Sequence, residues 1–320
     1  MSMKIAVVGC GRWGSFIAWY LDALGHEVTL YGREGSARMR ALTDTRSNGL
    51  VTLPASVRLS SELSDAARDA DVAAISIGCQ NLRGLLSGSA STLSQKPLVL
   101  CMKGLEAGTG KRLTQIVGEE LGPKARCAVW LGPGHVQEFA RGVPNCMVID
   151  SADDALKRTL VDAFSGDLIR FYYGRDLLGN EVGAAAKNVV GIAAGLLDGL
   201  SLGTLKGALM SRGTREISRL VKAMGGNELS VYGLCHLGDY EATVFSPYSH
   251  NRRFGECFAR GEPYGELAEG CATVEALLRL GARYGVELPI CRAVHDVLYQ
   301  GADPRAALDA LFRRSLKDEL

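Results

Sequence analysis

The chain has no Cys-x-x-Cys pair, almost no net charge and no long apolar run, and each absence removes a class of function. Its nine cysteines stand singly at positions 10, 79, 101, 127, 146, 235, 257, 271 and 291. Zinc sites and redox dithiols need thiols at close, fixed spacing, so no metal centre is expected. An odd, scattered set of thiols points to a reducing compartment. The 36 basic and 35 acidic side chains leave a net +1, which offers no field to nucleic acid or an anionic membrane. The longest apolar run after Lys187 stops at Asp198, far short of a membrane span. A strand pattern starts within four residues of Met1, so no targeting segment is expected. No internal repeat or low-complexity tract occurs. The last four residues, Lys317-Asp318-Glu319-Leu320, spell a retention signal of the endoplasmic reticulum. Nothing else directs the chain there, and the tetrapeptide reads as the charged end of a terminal helix.

What is present begins with a nucleotide-binding pattern. The 320 residues are 47% apolar and 22% charged, enough for two globular domains. Residues 4–9 (KIAVVG) read as a buried strand, 15–24 as a helix ended by Gly25, and 27–31 (EVTLY) as a second strand. Between the first strand and the helix lies Gly9-Cys10-Gly11-Arg12-Trp13-Gly14. Strand, GxGxxG, helix and strand in about thirty residues is the dinucleotide fingerprint. Gly9 permits the tight turn, Gly11 lets the pyrophosphate approach, and Gly14 lets helix and strand pack. The helix N-terminus receives the phosphates. At the end of the second strand an NAD enzyme carries Asp or Glu for the ribose hydroxyl. Here Tyr31-Gly32-Arg33 replaces the acid with a cation suited to a 2′-phosphate, so NADP is favoured, with NAD kept open by Glu34.

Residues 72–77 (VAAISI), 98–102 (LVLCM) and 127–131 (CAVWL) read as further strands, buried on both faces, with a helical stretch over 82–94. Lys103, in Lys103-Gly104-Leu105-Glu106, falls at the carboxyl edge of the sheet, where open α/β folds bind ligands, and is a candidate for an anionic substrate. Gly132-Pro133-Gly134-His135 ends another strand there; its glycines point to backbone near a ligand, and His135 reads as a bystander. After Phe171-Tyr172-Tyr173-Gly174 strand patterns vanish. Helices are expected over 178–197, 204–225, 227–235, 252–259, 266–284 and 292–314. Arg212, Arg215, Arg219 and Lys222 recur at helical spacing as a solvated face. The fold expected is α/β: a Rossmann-type parallel-sheet domain over 1–178, then an all-α domain over 179–320.

The helix around 182–198 is dense in glycine and alanine, so other backbones can come close. Its faces repeat every seven residues, which puts Asn180, Ala184, Lys187, Gly191 and Ala194 on one side. Lys187 is the only long group there, and a buried cation needs a partner or a task. We read it as the proton donor or acceptor of a dehydrogenase. Asp239 follows a glycine, and Ser249-His250-Asn251-Arg252-Arg253 gathers polar and cationic groups ahead of a helix.

With Lys103-Gly104-Leu105-Glu106, Gly132-Pro133, Ala186-Lys187-Asn188, Gly238-Asp239 and Asn251-Arg252-Arg253 in order, the chain resembles NAD(P)-dependent glycerol-3-phosphate dehydrogenase along its whole length. The resemblance implies reduction of dihydroxyacetone phosphate to sn-glycerol 3-phosphate by a cytoplasmic homodimer. It makes Lys187 the proton acceptor, Lys103 a substrate lysine and Asp239 an acid near the reactive centre. Thr243, Ser249 and Asn251 belong to the same pocket, Asn251 on the phosphate. Trp13 and Arg33 fall on cofactor contacts, Val136 near the nicotinamide and Leu267–Glu269 over the bound cofactor. Three positions depart from the family pattern. His250 stands where the family has an arginine that touches both phosphate and cofactor, and an imidazole, neutral for much of the time at pH 7, offers no bidentate fork. Gly134 stands where the family has Ser or Thr, and Arg12 replaces a small residue. Arg252 and Arg12 are the cations available to replace the lost arginine.

The mechanism expected is hydride delivery to a ketone carbon while Lys187 protonates the alkoxide. Desolvation and Lys103 are expected to lower the lysine pKa from about 10.4, against the pull of Asp239. Two alternatives are open: a dehydrogenase of another small phosphorylated or carboxylated hydroxy compound, such as a β-hydroxyacid or ketopantoate, and a non-catalytic NADP-binding sensor.

Overall fold

The structure is a computed structural model that describes residues 2–315; the 317–320 tetrapeptide lies outside the described residues. By backbone contacts the chain forms two compact units, one of residues up to Lys103 together with Arg112–Glu181, the other of Gly104–Lys111 together with the chain from Val182 onward.

The first unit is built on one sheet. Strands β1 (Lys4–Val8), β2 (Glu27–Tyr31), β3 (Arg58–Ser60), β4 (Val72–Ile75), β5 (Leu98–Leu100), β6 (Cys127–Leu131), β7 (Asn145–Asp150) and β8 (Ile169–Tyr173) lie in the order β3-β2-β1-β4-β5-β6-β7-β8. All neighbours run parallel except β6 and β7. The strand order reverses between β1 and β4, the place where such sheets open a ligand crevice at their carboxyl ends. β1 leads into the glycine turn and then helix α1 (Arg12–Ala23); β2 leads into helix α2 (Ala37–Thr45).

Apolar runs without alternation give strands buried on both faces, and β4 and β5 are buried throughout. Trp130 of β6 is fully buried, with its ring 4.9 Å from Phe171 and 5.7 Å from Phe164 by centroids. Phe16 of α1 stacks on Phe139 at 5.0 Å. This aromatic layer holds α1, and so the glycine turn, against the sheet.

Two strands, β3 and β7, lie outside the strand patterns of the sequence. β3 has three residues, too few to show a period, and is fixed by pairing Thr29 to Arg58 through Tyr31 to Ser60. β7 has four apolar residues between Asn145 and Asp150 and runs against β6, pairing Val129 with Asp150.

The second unit is helical. Its central element, α3 (Leu177–Gly199), begins in the first unit and enters the second at Val182. Around its later part lie α4 (Lys206–Ala223), α5 (His250–Arg260), α6 (Glu269–Tyr284), α7 (Pro289–Tyr299) and α8 (Pro304–Phe312). Every residue from Val182 to Leu197 is buried. The lean face does bring backbones together: a Cβ on Gly195 would stand 1.9 Å from Arg252 O, and one on Gly255 would stand 2.2 Å from Ile192 O.

The helix expected over 227–235 is only a tight 3₁₀ stretch, Glu228–Tyr232. The helix expected over 292–314 is two, because Asp303 caps a new start at Pro304, accepting from Ala306 N at 2.8 Å. Among the described residues no helix is long and apolar enough to cross a membrane.

Candidate active site

The room for a Cβ at each glycine of the turn shows how the turn fits a dinucleotide. On Gly9, at φ +117°, it would lie 2.2 Å from Ser76 O, and on Gly14 it would lie 1.8 Å from Gly9 O. The protein's own backbone therefore forbids a side chain at both positions. On Gly11 a Cβ would meet only Arg38 Nη1, at 3.5 Å, an ordinary contact. Nothing in the chain requires glycine there, so the open space is suited to a pyrophosphate. Gly11 is also the N-cap of α1 and has no side chain to satisfy the first-turn amides, which are then available to phosphate oxygens. The residues present fit a dinucleotide. Arg12 and Arg33 are exposed beside this turn, and Trp13 is half-buried with its ring 5.1 Å from Phe16.

At the carboxyl edge of the same sheet, Lys103 follows β5 and donates from Nζ to Gly132 O at 2.6 Å. Lys103 and Gly132 are thus brought together as neighbours. Gly134 has φ +144°, and a Cβ there would fall 2.3 Å from Phe139 Cε2. The ring of Phe139, 1% exposed, occupies the space that a side chain at 134 would need. Any side chain at 134 would have to displace that ring. Val136 begins the short helix Val136–Phe139 and is buried.

In the helical unit Lys187 meets two partners. Its Nζ lies 2.9 Å from Asp239 Oδ2 and donates to Thr243 Oγ1 at 2.6 Å. Lys187 is 8% exposed, and Asp239 and Thr243 are 1% exposed each. Asp239 ends a 3₁₀ turn, Leu237–Asp239, and Thr243 sits in a π-helical turn, Glu241–Phe245. The short turns carry both groups back onto α3. Asp239 is therefore the counter-ion of the lysine. Gly191, one turn along α3, gives way to the Thr243 methyl, which would lie 2.8 Å from a Cβ.

The start of α5 packs beside this cluster. Ser249 is its N-cap, accepting from Arg252 N at 3.3 Å. Asn251 donates to Asn188 Oδ1 at 3.1 Å and accepts from Gly270 N at 2.9 Å. Its amide is thereby fixed between α3 and α6. His250 Nδ1 lies 2.6 Å from the Tyr264 hydroxyl. Arg252 Nη1 is held by two carboxylates of this unit, Asp198 at 2.5 Å and Glu256 at 3.1 Å. Leu267 is 67% exposed, just before Glu269 opens α6.

Two residues near these groups carried no signal in the sequence. One is Arg38, beside Gly11. The other is His236, fully buried, with Nδ1 2.8 Å from Gly183 O and Nε2 2.7 Å from the Tyr240 hydroxyl. Nδ1 must donate to the carbonyl, so Nε2 accepts from tyrosine. Burial holds its pKa down from 6.5 to about 4, opposed by the Gly183 carbonyl and reinforced by the charge of Lys187. The unfolded chain takes up a proton here below about pH 6.5, and the folded chain does so only near pH 4. The contribution is complete above pH 6.5 and disappears as pH falls to 4. It amounts to about 3 kcal/mol at most. Urea unfolding at pH 7 and pH 5 is expected to show His236→Asn losing less stability on acidification than the unaltered protein. Equal losses in the two proteins would remove this assignment.

A dinucleotide fingerprint at a sheet's switch point, with a buried lysine–carboxylate pair on a helical unit, defines a nicotinamide-dependent dehydrogenase fold. The chain matches the NAD-dependent glycerol-3-phosphate dehydrogenase N-terminus over residues 4–157 and the C-terminus of the same family over residues 176–309. It belongs to the NAD-dependent glycerol-3-phosphate dehydrogenase family. It is 38% identical over 331 residues to glycerol-3-phosphate dehydrogenase, NAD(P)+, of Aromatoleum aromaticum, covering 99% of this chain and 100% of the relative. A relative of the same name from Bradyrhizobium sp. (strain ORS 278) is also 38% identical, over 98% of each chain. The crystal structure of glycerol-3-phosphate dehydrogenase from Coxiella burnetii superposes with a TM-score of 0.91 at 27% identity, covering 98% of this chain and 99% of that one. A PanE/ApbA family ketopantoate reductase from Ralstonia eutropha shares the fold alone, with a TM-score of 0.63 at 16% identity over 97% of this chain and all of that one.

Proposed function

We propose that the chain reduces dihydroxyacetone phosphate reversibly to sn-glycerol 3-phosphate, with residues 1–178 binding the dinucleotide and 179–320 carrying the proton donor. The observation that carries this reading is the buried Lys187, held by Asp239 and Thr243, in a chain of this family. When bound, the reduced nicotinamide supplies the hydride. Lys187 gives the proton to the carbonyl oxygen as negative charge develops on it, and takes it back in the reverse direction. Asp239 keeps the ammonium charged and in place, and Thr243 fixes its direction. Lys103 attracts the anionic substrate, and Gly132 holds Lys103. Asn251, Ser249 and His250 form the phosphate end, and the backbone of Gly134 serves the substrate. Gly9, Gly11, Gly14, Arg12, Trp13, Arg33, Val136, Leu267 and Glu269 serve the dinucleotide. We further propose, from the resemblance to this family, a cytoplasmic homodimer.

The direct test is oxidation of NADPH and NADH by the purified chain with dihydroxyacetone phosphate, against ketopantoate and a panel of keto acids. Turnover confined to ketopantoate or keto acids would overturn the assignment. The His250 departure gives a second test. An arginine there adds a fork of charge-assisted donors, worth about 1.5–3 kcal/mol to a phosphate. His250→Arg is expected to lower KM for dihydroxyacetone phosphate roughly tenfold with kcat little changed. An unchanged KM would place the phosphate elsewhere.

A further inference from the structure

The end of β2 shows why this chain lacks a ribose-binding acid. β2 pairs alongside β1, and Gly9 N donates to Tyr31 O at 2.9 Å, so the end of β2 adjoins the glycine turn. At the next residue, Gly32, a Cβ would lie 2.5 Å from Cys10 Sγ and 2.8 Å from Met39 Sδ, so a side chain there would have to displace two buried sulfurs. This packing disfavours a carboxylate at the position next to the strand end, and with Gly32 in place the 2′-hydroxyl of NAD has no side-chain acceptor there.

The same packing sets α2. Ser36 N donates to Arg33 O at 3.2 Å, and Met39 N donates to Ser36 Oγ at 3.2 Å, which caps the helix. Met39 is 5% exposed and packs under the turn. Arg38, one residue earlier, is turned outward, and its guanidinium lies beside Gly11. Among the described residues Arg38 has no carboxylate partner, whereas Arg58, Arg83, Arg112 and Arg252 are each paired with one. A solvated arginine anchored at its backbone, without a protein anion, at the edge of a phosphate cradle is poised for an anion of the ligand.

We propose that Arg38 binds the 2′-phosphate of NADP(H) and determines the preference of this chain for NADP over NAD. The inference rests on the dinucleotide reading of the glycine turn. The pyrophosphate is served by the first-turn amides of α1; Arg38 hangs from the helix that follows β2, on the ribose side. Arg33 lies at the other end of the same short turn, so two exposed cations bracket it, with the exposed Glu34 the one acid of the turn.

The test is equilibrium binding to the full chain, unaltered and as Arg38→Gln and Arg38→Lys. NADPH and NADH are titrated by nicotinamide fluorescence, and adenosine 2′,5′-bisphosphate by calorimetry. Arg38→Gln is expected to weaken NADPH and the bisphosphate tenfold or more and to leave NADH within twofold. Arg38→Lys is expected to recover part of the loss. Equal weakening of NADPH and NADH would place the guanidinium on the pyrophosphate and overturn the proposal, as would no change in either. An unaltered protein that binds neither dinucleotide would instead overturn the reading on which the proposal stands. An unchanged melting temperature for the exposed Arg38 variants shows that a loss of binding is not a loss of fold.

Discussion

Replacing Lys187 is expected to lower turnover by about a hundredfold or more, the usual range for a lost general acid. That corresponds to about 2.7 kcal/mol or more of transition-state stabilisation. Alanine alone is a poor instrument. It leaves Asp239, 1% exposed, as a buried carboxylate without its ammonium. Breaking such a pair costs about 3–5 kcal/mol of stability, which is as large as the catalytic effect. The informative protein is the double variant Lys187→Met with Asp239→Asn, a neutral pair of similar bulk. It is expected to stay folded and to bind NADPH as the unaltered protein does, because neither residue belongs to the glycine turn. Its kcat should fall with the single variant's. A double variant that binds cofactor and turns over near the normal rate would remove Lys187 as the proton donor.

How far the sequence disclosed these features depended on how local each one is. The glycine turn is contiguous, and its strand–turn–helix context is visible in about thirty residues. Arg38 was invisible because its proximity to Gly11 comes from the packing of Met39 and the cap of Ser36, neither of which has a period. Lys187, Asp239 and Thr243 are far apart in the chain and meet through two short turns, so no spacing rule connects them; likeness to a family did. His236 is a lone histidine whose partners are a carbonyl on α3 and a tyrosine one turn along the chain. Departures from the family pattern were visible as letters only. That Phe139 fills the place of a side chain at Gly134, and that Arg252 is bound by Asp198 and Glu256, required the packed structure.

Gly195→Ala and Gly207→Ala are expected to change stability in opposite directions, although both place alanine within a helix. Alanine is favoured over glycine in a helix interior by up to about 1 kcal/mol. Gly207 is exposed in the first turn of α4, and a Cβ there meets nothing within 4 Å. Its replacement should stabilise by about 0.5–1 kcal/mol. At Gly195 a Cβ would stand 1.9 Å from Arg252 O and 2.8 Å from Glu256 N. These are backbone atoms of α5, so no side chain can rotate away, and α3 and α5 must separate. Overpacking of this kind costs about 1–3 kcal/mol and more when backbone is involved, which outweighs the propensity gain. The displacement also carries His250 and Asn251, at the start of α5, away from Lys187 on α3. Gly195→Ala should therefore lower both the unfolding midpoint in urea and kcat/KM for dihydroxyacetone phosphate, with cofactor binding less affected. Should the Gly195 and Gly207 variants prove equally stable, the close approach of these two helices would not be what the glycine serves.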